Sequence, residues 1–374
     1  MTEIETDVLP LTGLSLPELE KILCEKTALL SAPLERFRAR QIYNWISRGI
    51  AGFDQMTDLP AAARAQLKER FSLYSCSVDS CNEDTNASGR RAAKKIVVTL
   101  KDFLQAEAVL LDDGKDRRTA CLSTQAGCPC GCVYCKTGSL GFSRNLTCGE
   151  IVEQFLFLGG TQNIDNIVIM GMGEPLLNLP NLRKAVSIFT DPQGVNFSRR
   201  RITVSTCGIC AGLSDIAQND PYIRLALSLT TADEELRRAL MPVSAANPLQ
   251  KIKEALVLFQ SNGGSRVTLE IPLLGGVNTR EKDAKETAAF AEGLHTVINI
   301  IPWNPVAGLL FRGKPLREPE KKETENFIKA LECYGLKVTM RRRKGQRIMG
   351  ACGQLGCVNL LSEKPGKSNL EQAD

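Results

Sequence analysis

From about Thr119 onward the chain repeats one pattern: a short apolar run, a turn of small polar residues, then a stretch with helical spacing. The runs fall at residues 119–124, 166–172, 201–206, 223–229, 266–273 and 296–302. Parallel neighbours in a sheet cannot be joined by a hairpin and need a crossover, so strands alternating with helices predict a parallel sheet with helices outside it. Six units are too few for a closed eight-unit barrel. The expected class is α/β, a partial (β/α)6 barrel with its functional residues at the C-terminal ends of the strands.

The flanks read differently. Residues 14–30 carry Leu16, Leu19, Ile22 and Leu23 at helical spacing behind a Ser15-Leu-Pro-Glu18 start signal. A second helix is expected from about Arg36 to Ser47, with Phe37, Ile42, Tyr43, Trp45 and Ile46 on its apolar side, and a third from about Pro60 to Phe71. Together they suggest a small N-terminal helical domain over 1–75. Residues 75–92 are polar and turn-forming and read as loop or linker, while Lys94–Leu100 and Gln105–Leu111 alternate as a β-hairpin around Lys101-Asp102. Residues 76–115 are thus expected to be linker and hairpin, and 116–345 the barrel, with a late helix at Glu318–Tyr334 and a strand at Lys337–Arg342. Residues 346–374 are expected to be a loop and a polar tail.

The first barrel strand leads into Cys121-Leu-Ser-Thr-Gln-Ala-Gly-Cys128-Pro-Cys130-Gly-Cys132-Val-Tyr-Cys135. Cys128, Cys132 and Cys135 form C-x3-C-x2-C, a spacing that lets three thiolates converge on one soft metal centre. A structural zinc site closes with four protein ligands and an electron-transfer cluster takes four cysteines, whereas three leave a metal position open to a reactant. Spacing alone also admits a zinc knuckle, and Cys130 is a further potential ligand. Other strand ends carry Gly171-Met-Gly-Glu174-Pro, Ser205-Thr-Cys-Gly, Ser228-Leu-Thr230 and Trp303-Asn304-Pro. One such Ser or Asn is ordinarily a helix cap; several at one level, beside a three-cysteine loop, point to a ligand site. Cys352, between small residues in Gly350-Ala-Cys352-Gly-Gln-Leu and close to Arg341–Lys344, sits where a thiol gains reactivity.

With 374 residues, 43% hydrophobic and 24% charged, the chain can bury a full core and is not expected to be disordered. Fourteen cysteines without an N-terminal apolar run suggest a reducing, cytoplasmic compartment. No stretch approaches the roughly 20 apolar residues of a membrane span. The net charge of +5 is concentrated in Arg36, Arg38 and Arg40; Arg90, Arg91, Lys94 and Lys95; Arg199–Arg201; and Arg341–Lys344, a distribution that suits contact with nucleic acid phosphates.

C-x3-C-x2-C with Tyr134 before its last cysteine resembles the signature of the radical S-adenosylmethionine superfamily. FRARQIYNWI with FDQMTDLP, CLSTQAGC, GFSRNLT, GMGEPLLN, RITVSTCG, LALSL, INIIPWNP and GACGQL follow in order from about residue 36 to 360. This series resembles one family within it, the radical S-adenosylmethionine adenine methyltransferases of ribosomal and transfer RNA, the RlmN/Cfr group. The resemblance implies one 4Fe-4S cluster on Cys128, Cys132 and Cys135, and S-adenosylmethionine, two per turnover, contacted by Gly173, Glu174, Ser205, Ser228 and Asn304. It further implies that Cys352 is methylated, that Cys121 resolves the resulting adduct, and that Glu107, on the second hairpin strand, is a proton acceptor, although the stretch from Glu107 to Cys121 is one residue longer than in the family. The target carbon of adenine has no nucleophilic lone pair, which is why a radical route is needed. The implied partners are 23S rRNA, with tRNA as a further substrate, and a flavodoxin- or ferredoxin-type reductant, acting on a monomer.

The chain departs from the family in carrying Thr230 where a histidine is usual, and in having Cys130, Cys207 and Cys210. C2 is the favoured target carbon, and C8 is the choice of the other branch. A divergent paralogue acting on another RNA keeps the same mechanism. A non-catalytic, metal-containing RNA-binding protein is the reading of a different class, and it leaves Cys121 and Cys352 without a purpose.

Overall fold

The computed structural model describes residues 8–25, 34–85, 89–114, 117–341 and 343–356. Ten strands lie side by side in chain order. The first four, β1 (Ser77–Thr85), β2 (Arg91–Thr99), β3 (Gln105–Asp112) and β4 (Arg118–Cys121), pair antiparallel in succession. From β4 onward, through β5 (Asn166–Ile169), β6 (Ile202–Thr206), β7 (Arg224–Ser228), β8 (Val267–Leu273), β9 (Thr296–Pro302) and β10 (Val338–Met340), each neighbour is parallel. Helices Cys148–Phe157, Leu179–Thr190, Cys210–Asn219, Leu249–Ser261, Glu281–Ala291 and Lys321–Cys333 make the crossovers. The six expected units are therefore present in an α/β arc of parallel strands, and β10 adds a seventh parallel strand to them.

Residues 75–92 correct the expectation of a loop, because residues 77–85 form β1. Most of β1 is exposed, as befits an edge strand, so no apolar alternation marks it; its partner β2 sets Glu83 opposite Lys94 and Asn82 opposite Lys95. Nor is the hairpin a separate appendage: Ile96, Val98, Ala108 and Leu110 belong to the same buried cluster as Ile167, Val204, Leu269 and Ile300.

A second cluster, with Leu19, Leu23, Ile42, Met56 and Leu67 fully buried, lies among helices Leu16–Cys24, Arg36–Ser47 and Ala61–Arg70. The first of these starts where expected, with the Ser15 N–H donating to Glu18 Oε2 at 2.8 Å, but it ends at Cys24; residues 26–33 lie outside the described residues. This helical unit meets the barrel through Tyr43, whose hydroxyl donates to Asp191 Oδ2 at 3.1 Å, and through Lys184 and Glu18 at 2.8 Å. After β10 the chain crosses the barrel mouth: Arg343 donates to the Trp303 carbonyl at 3.2 Å and Lys344 to that of Asp112. No described helix is long and apolar enough to cross a membrane.

Candidate active site

The cysteine loop is pinned at its neck. Gln125–Gly127 pairs antiparallel with Phe142–Asn145, and the Cys128 N–H donates to the Gly141 carbonyl at 2.7 Å. At φ +78° a Cβ on Gly127 would stand 2.0 Å from that carbonyl oxygen, so the close approach requires glycine. Inside the loop, Trp303 Nε1 donates to the Tyr134 carbonyl at 2.8 Å, and the Tyr134 hydroxyl is 2.8 Å from Thr230 Oγ1.

Cys128, Cys132 and Cys135 line a cavity of about 170 Å³ whose other walls include Gly173, Glu174, Ser205, Ser228, Asn304 and Cys352. The barrel thus brings five strand ends and the C-terminal loop to one place. Glu174 is buried; its Oε2 accepts from the Cys207 N–H at 2.7 Å and its Oε1 from Leu176 at 3.0 Å, while burial pushes its carboxyl up against the pull of these donors. Ser205 Oγ donates to Glu270 Oε2 at 3.0 Å. Glu270, buried within the apolar β8, belongs to no motif of the sequence, although one acid in such a strand is itself a signal.

A second cavity, of about 390 Å³, is lined by Cys121, Thr119, Arg341, Arg343, Lys344 and Leu355. Cys352, Met170, Ile301 and Asn304 belong to the walls of both. Arg341 Nη1 donates to Cys352 Sγ at 3.2 Å, and Asn304 Nδ2 to the Cys352 carbonyl at 3.0 Å. Burial raises the Cys121 thiol to about 12, and a negative charge on Cys352 would add to the rise, while Arg341 opposes it.

Glu107 lines neither cavity. It is buried on β3, where its Oε1 accepts from Lys95 Nζ at 2.9 Å and its Oε2 from the Gly356 N–H at 2.7 Å.

Four thiols of the loop, Cys128, Cys130, Cys132 and Cys135, line the cavity, and the C-x3-C-x2-C three among them fit an iron–sulfur cluster. Nearby, Arg237 is fully buried with Nη1 unpaired, although its Nη2 donates to the Cys207 carbonyl at 2.6 Å and its Nε to that of Leu229 at 3.2 Å. Burial pulls this guanidinium down, and negative charge on Cys207, Tyr134 or Cys132 restores it, so an anionic centre on the loop would compensate a buried cation. Cys130, the further potential ligand, is buried with its Sγ 3.5 Å from that of Cys207, and these two thiols and Glu174 bring ligand atoms within 4.8 Å of one another.

Residues 122–291 match the radical SAM superfamily, and residues 11–73 match the ribosomal RNA large subunit methyltransferase N-terminal domain. The probable dual-specificity RNA methyltransferase RlmN of Treponema denticola is 48% identical over 331 residues, spanning 88% of this chain and 92% of that protein. Its counterpart in Rhodopirellula baltica is 40% identical over 324 residues, 85% of this chain and 84% of that one. The chain belongs to the RlmN family. A radical SAM methyltransferase from Sphaerobacter thermophilus, known from its crystal structure, matches with a TM-score of 0.84 at 34% identity over 92% of this chain and 98% of that one. As a member of the RlmN family, the protein is a radical SAM RNA methyltransferase, and the family implies a 4Fe-4S cluster and S-adenosylmethionine.

Thr230, just after β7, has a local role at the cysteine loop. Thr230 has φ +64°, strained for a β-branched residue, and its hydroxyl meets Tyr134 of the cysteine loop.

Proposed function

We propose that this enzyme methylates C2 of an adenine in 23S rRNA and in tRNA, with Cys352 carrying the carbon as an S-methyl group and Cys121 releasing the product. The observation that carries this reading is the position of Cys352 on the wall shared by the cysteine-loop cavity and the cavity of Cys121 and the basic residues. The N-terminal match to large-subunit ribosomal RNA methyltransferases supports the ribosomal substrate, and the dual-specificity name of the relatives supports a second RNA. Their RlmN names favour C2 over C8.

Cys128, Cys132 and Cys135 would hold the cluster, and Gly173, Glu174, Ser205, Ser228 and Asn304 the S-adenosylmethionine, two molecules per turnover. When bound, this pair supplies the methyl group and the hydrogen-abstracting power that an adenine carbon without a nucleophilic lone pair requires. Cys352 accepts the methyl on an Sγ steadied by Arg341. Arg341, Arg343 and Lys344 give the larger cavity the positive charge that orients an RNA backbone at its rim. Once the carbon joins adenine, the base is tethered to Cys352 Sγ, and the adduct must lose one proton and one electron, for which the cluster that Cys128, Cys132 and Cys135 would hold would be the acceptor. Cys121, as thiolate, takes the proton and, after passing it to solvent, attacks Cys352 Sγ as thiolate again. The S–C bond breaks, the freed carbon gains a proton to become methyl, and the two cysteines remain as a disulfide. A flavodoxin- or ferredoxin-type protein is the proposed electron donor to a monomeric enzyme.

The test is anaerobic cluster reconstitution, then mass spectrometry of Cys352 peptides and of nucleosides from incubated ribosomal RNA. S-methylated Cys352 with 2-methyladenosine is expected, and 8-methyladenosine would move the enzyme to the other branch. Cys352→Ala should form neither crosslink nor product, and Cys121→Ala should accumulate protein bound covalently to RNA. Free turnover of Cys121→Ala with no crosslink would overturn the assignment.

A further inference from the structure

A buried ion pair has to be explained, because an apolar pair of similar volume stabilises a fold as well or better. Lys95 on β2 and Glu107 on β3 point to the same face of the sheet, two residues out of direct register, with side chains only 10% and 3% exposed. Each has a second partner, and the two partners bracket Cys352. Lys95 Nζ reaches the Met349 carbonyl at 3.4 Å, and Glu107 Oε2 accepts from the Gly356 N–H at 2.7 Å. The segment between them begins at a left-handed turn, Met349 at φ +51°, and places Cys352 on the walls of both cavities.

We propose that Lys95 and Glu107 are positioning residues that clasp the two ends of the Cys352 loop and hold its sulfur between the two cavities. The sheet supplies the rigidity: both side chains rise from a strand pair anchored in the main core through Ile96, Val98, Ala106 and Ala108. Charge serves the clasp because each ion must satisfy its partner and one backbone group of the loop, and a charge-assisted hydrogen bond is stronger than a neutral one. Glu107 then acts through the loop, not on the substrate. The consequence for turnover rests on Cys352 as the methyl acceptor; the clasp itself is measured without activity.

The experiment uses cluster-loaded enzyme and the double variant Lys95→Met/Glu107→Leu, which removes both charges and leaves no buried ion alone. Iodoacetamide labelling of Cys352, amide exchange at 350–356 and the thermal midpoint are read together. The expected result is Cys352 labelling and loop exchange faster by about tenfold, with the midpoint kept, since only the local opening equilibrium changes. Lys95→Arg, which keeps the charge and the donors, should retain the slow rates. Parental labelling and exchange in the folded double variant would overturn the proposal, as would a lowered midpoint without local loosening, the mark of an ordinary structural pair. If the double variant does not hold its cluster, Glu107→Gln decides: faster exchange at 350–356 sustains the clasp, and unchanged exchange overturns it. Loosened loops in an enzyme that makes no S-methylated Cys352 would leave the clasp standing and remove the proposed function.

Discussion

At the scale of the residue, Cys121 is set by its surroundings more than by its sequence position. A thiol held up at about 12 is protonated at neutral pH, so the thiolate proposed to resolve the adduct is scarce, and its fraction grows tenfold per pH unit below that value. Decay of the isolated protein–RNA crosslink should therefore accelerate about tenfold per unit between pH 7 and 9, checked by quenched-flow gel analysis; a flat profile would mean that another group limits resolution. Cys130 makes a contrasting case. Its Sγ lies against Cys207, so Cys130→Ala should keep close to four iron atoms per chain after reconstitution, whereas Cys132→Ala should lose the cluster. Iron and sulfide analysis distinguishes the two.

Among the elements, the cysteine loop depends on its neck. Two short strands, the Gly127–Gly141 approach and the Trp303 bond to Tyr134 hold the three thiols against the cavity. Gly127→Ala forces a Cβ to within 2.0 Å of a backbone oxygen at a positive φ, and neither partner can give way without opening the neck. Cluster loading should fall severalfold and stability by about 2 kcal/mol or more, read by iron content and denaturant melts. β1 shows the opposite balance. Its polar, exposed residues offer no pattern, and pairing with β2 is what makes them a strand.

Across the whole molecule, the helical unit and the barrel are joined at Ser75 and Cys76, which reach Glu153 of helix Cys148–Phe157. Both Ser75 groups and the Cys76 N–H donate to this buried carboxylate at 2.8–2.9 Å. Burial nonetheless lifts Glu153 to about 7. A raised carboxyl favours the folded state while protonated, so its contribution is complete below about pH 4.5 and is lost as pH rises through about 7, by up to about 3 kcal/mol at 1.4 kcal/mol per unit. The thermal midpoint should fall from pH 5 to 8, and Glu153→Gln should flatten that dependence in calorimetry.

The strand–helix alternation and the cysteine spacing were legible because both are local: periodicity follows from which face is buried, and a C-x3-C-x2-C loop closes over a few residues. Six parallel strands, the three N-terminal helices and the residues that meet around the cysteine loop follow from that reading. Glu270, Arg237, the Cys130–Cys207 contact and the Lys95–Glu107 pair do not, since each depends on groups brought together from distant parts of the chain. By itself the sequence determined the repeated units, the ligands on one loop and the family. Only the tertiary structure decided that Glu107 faces a loop 249 residues away instead of a cavity, because burial and partnership across a sheet are properties of the folded chain and leave no local trace.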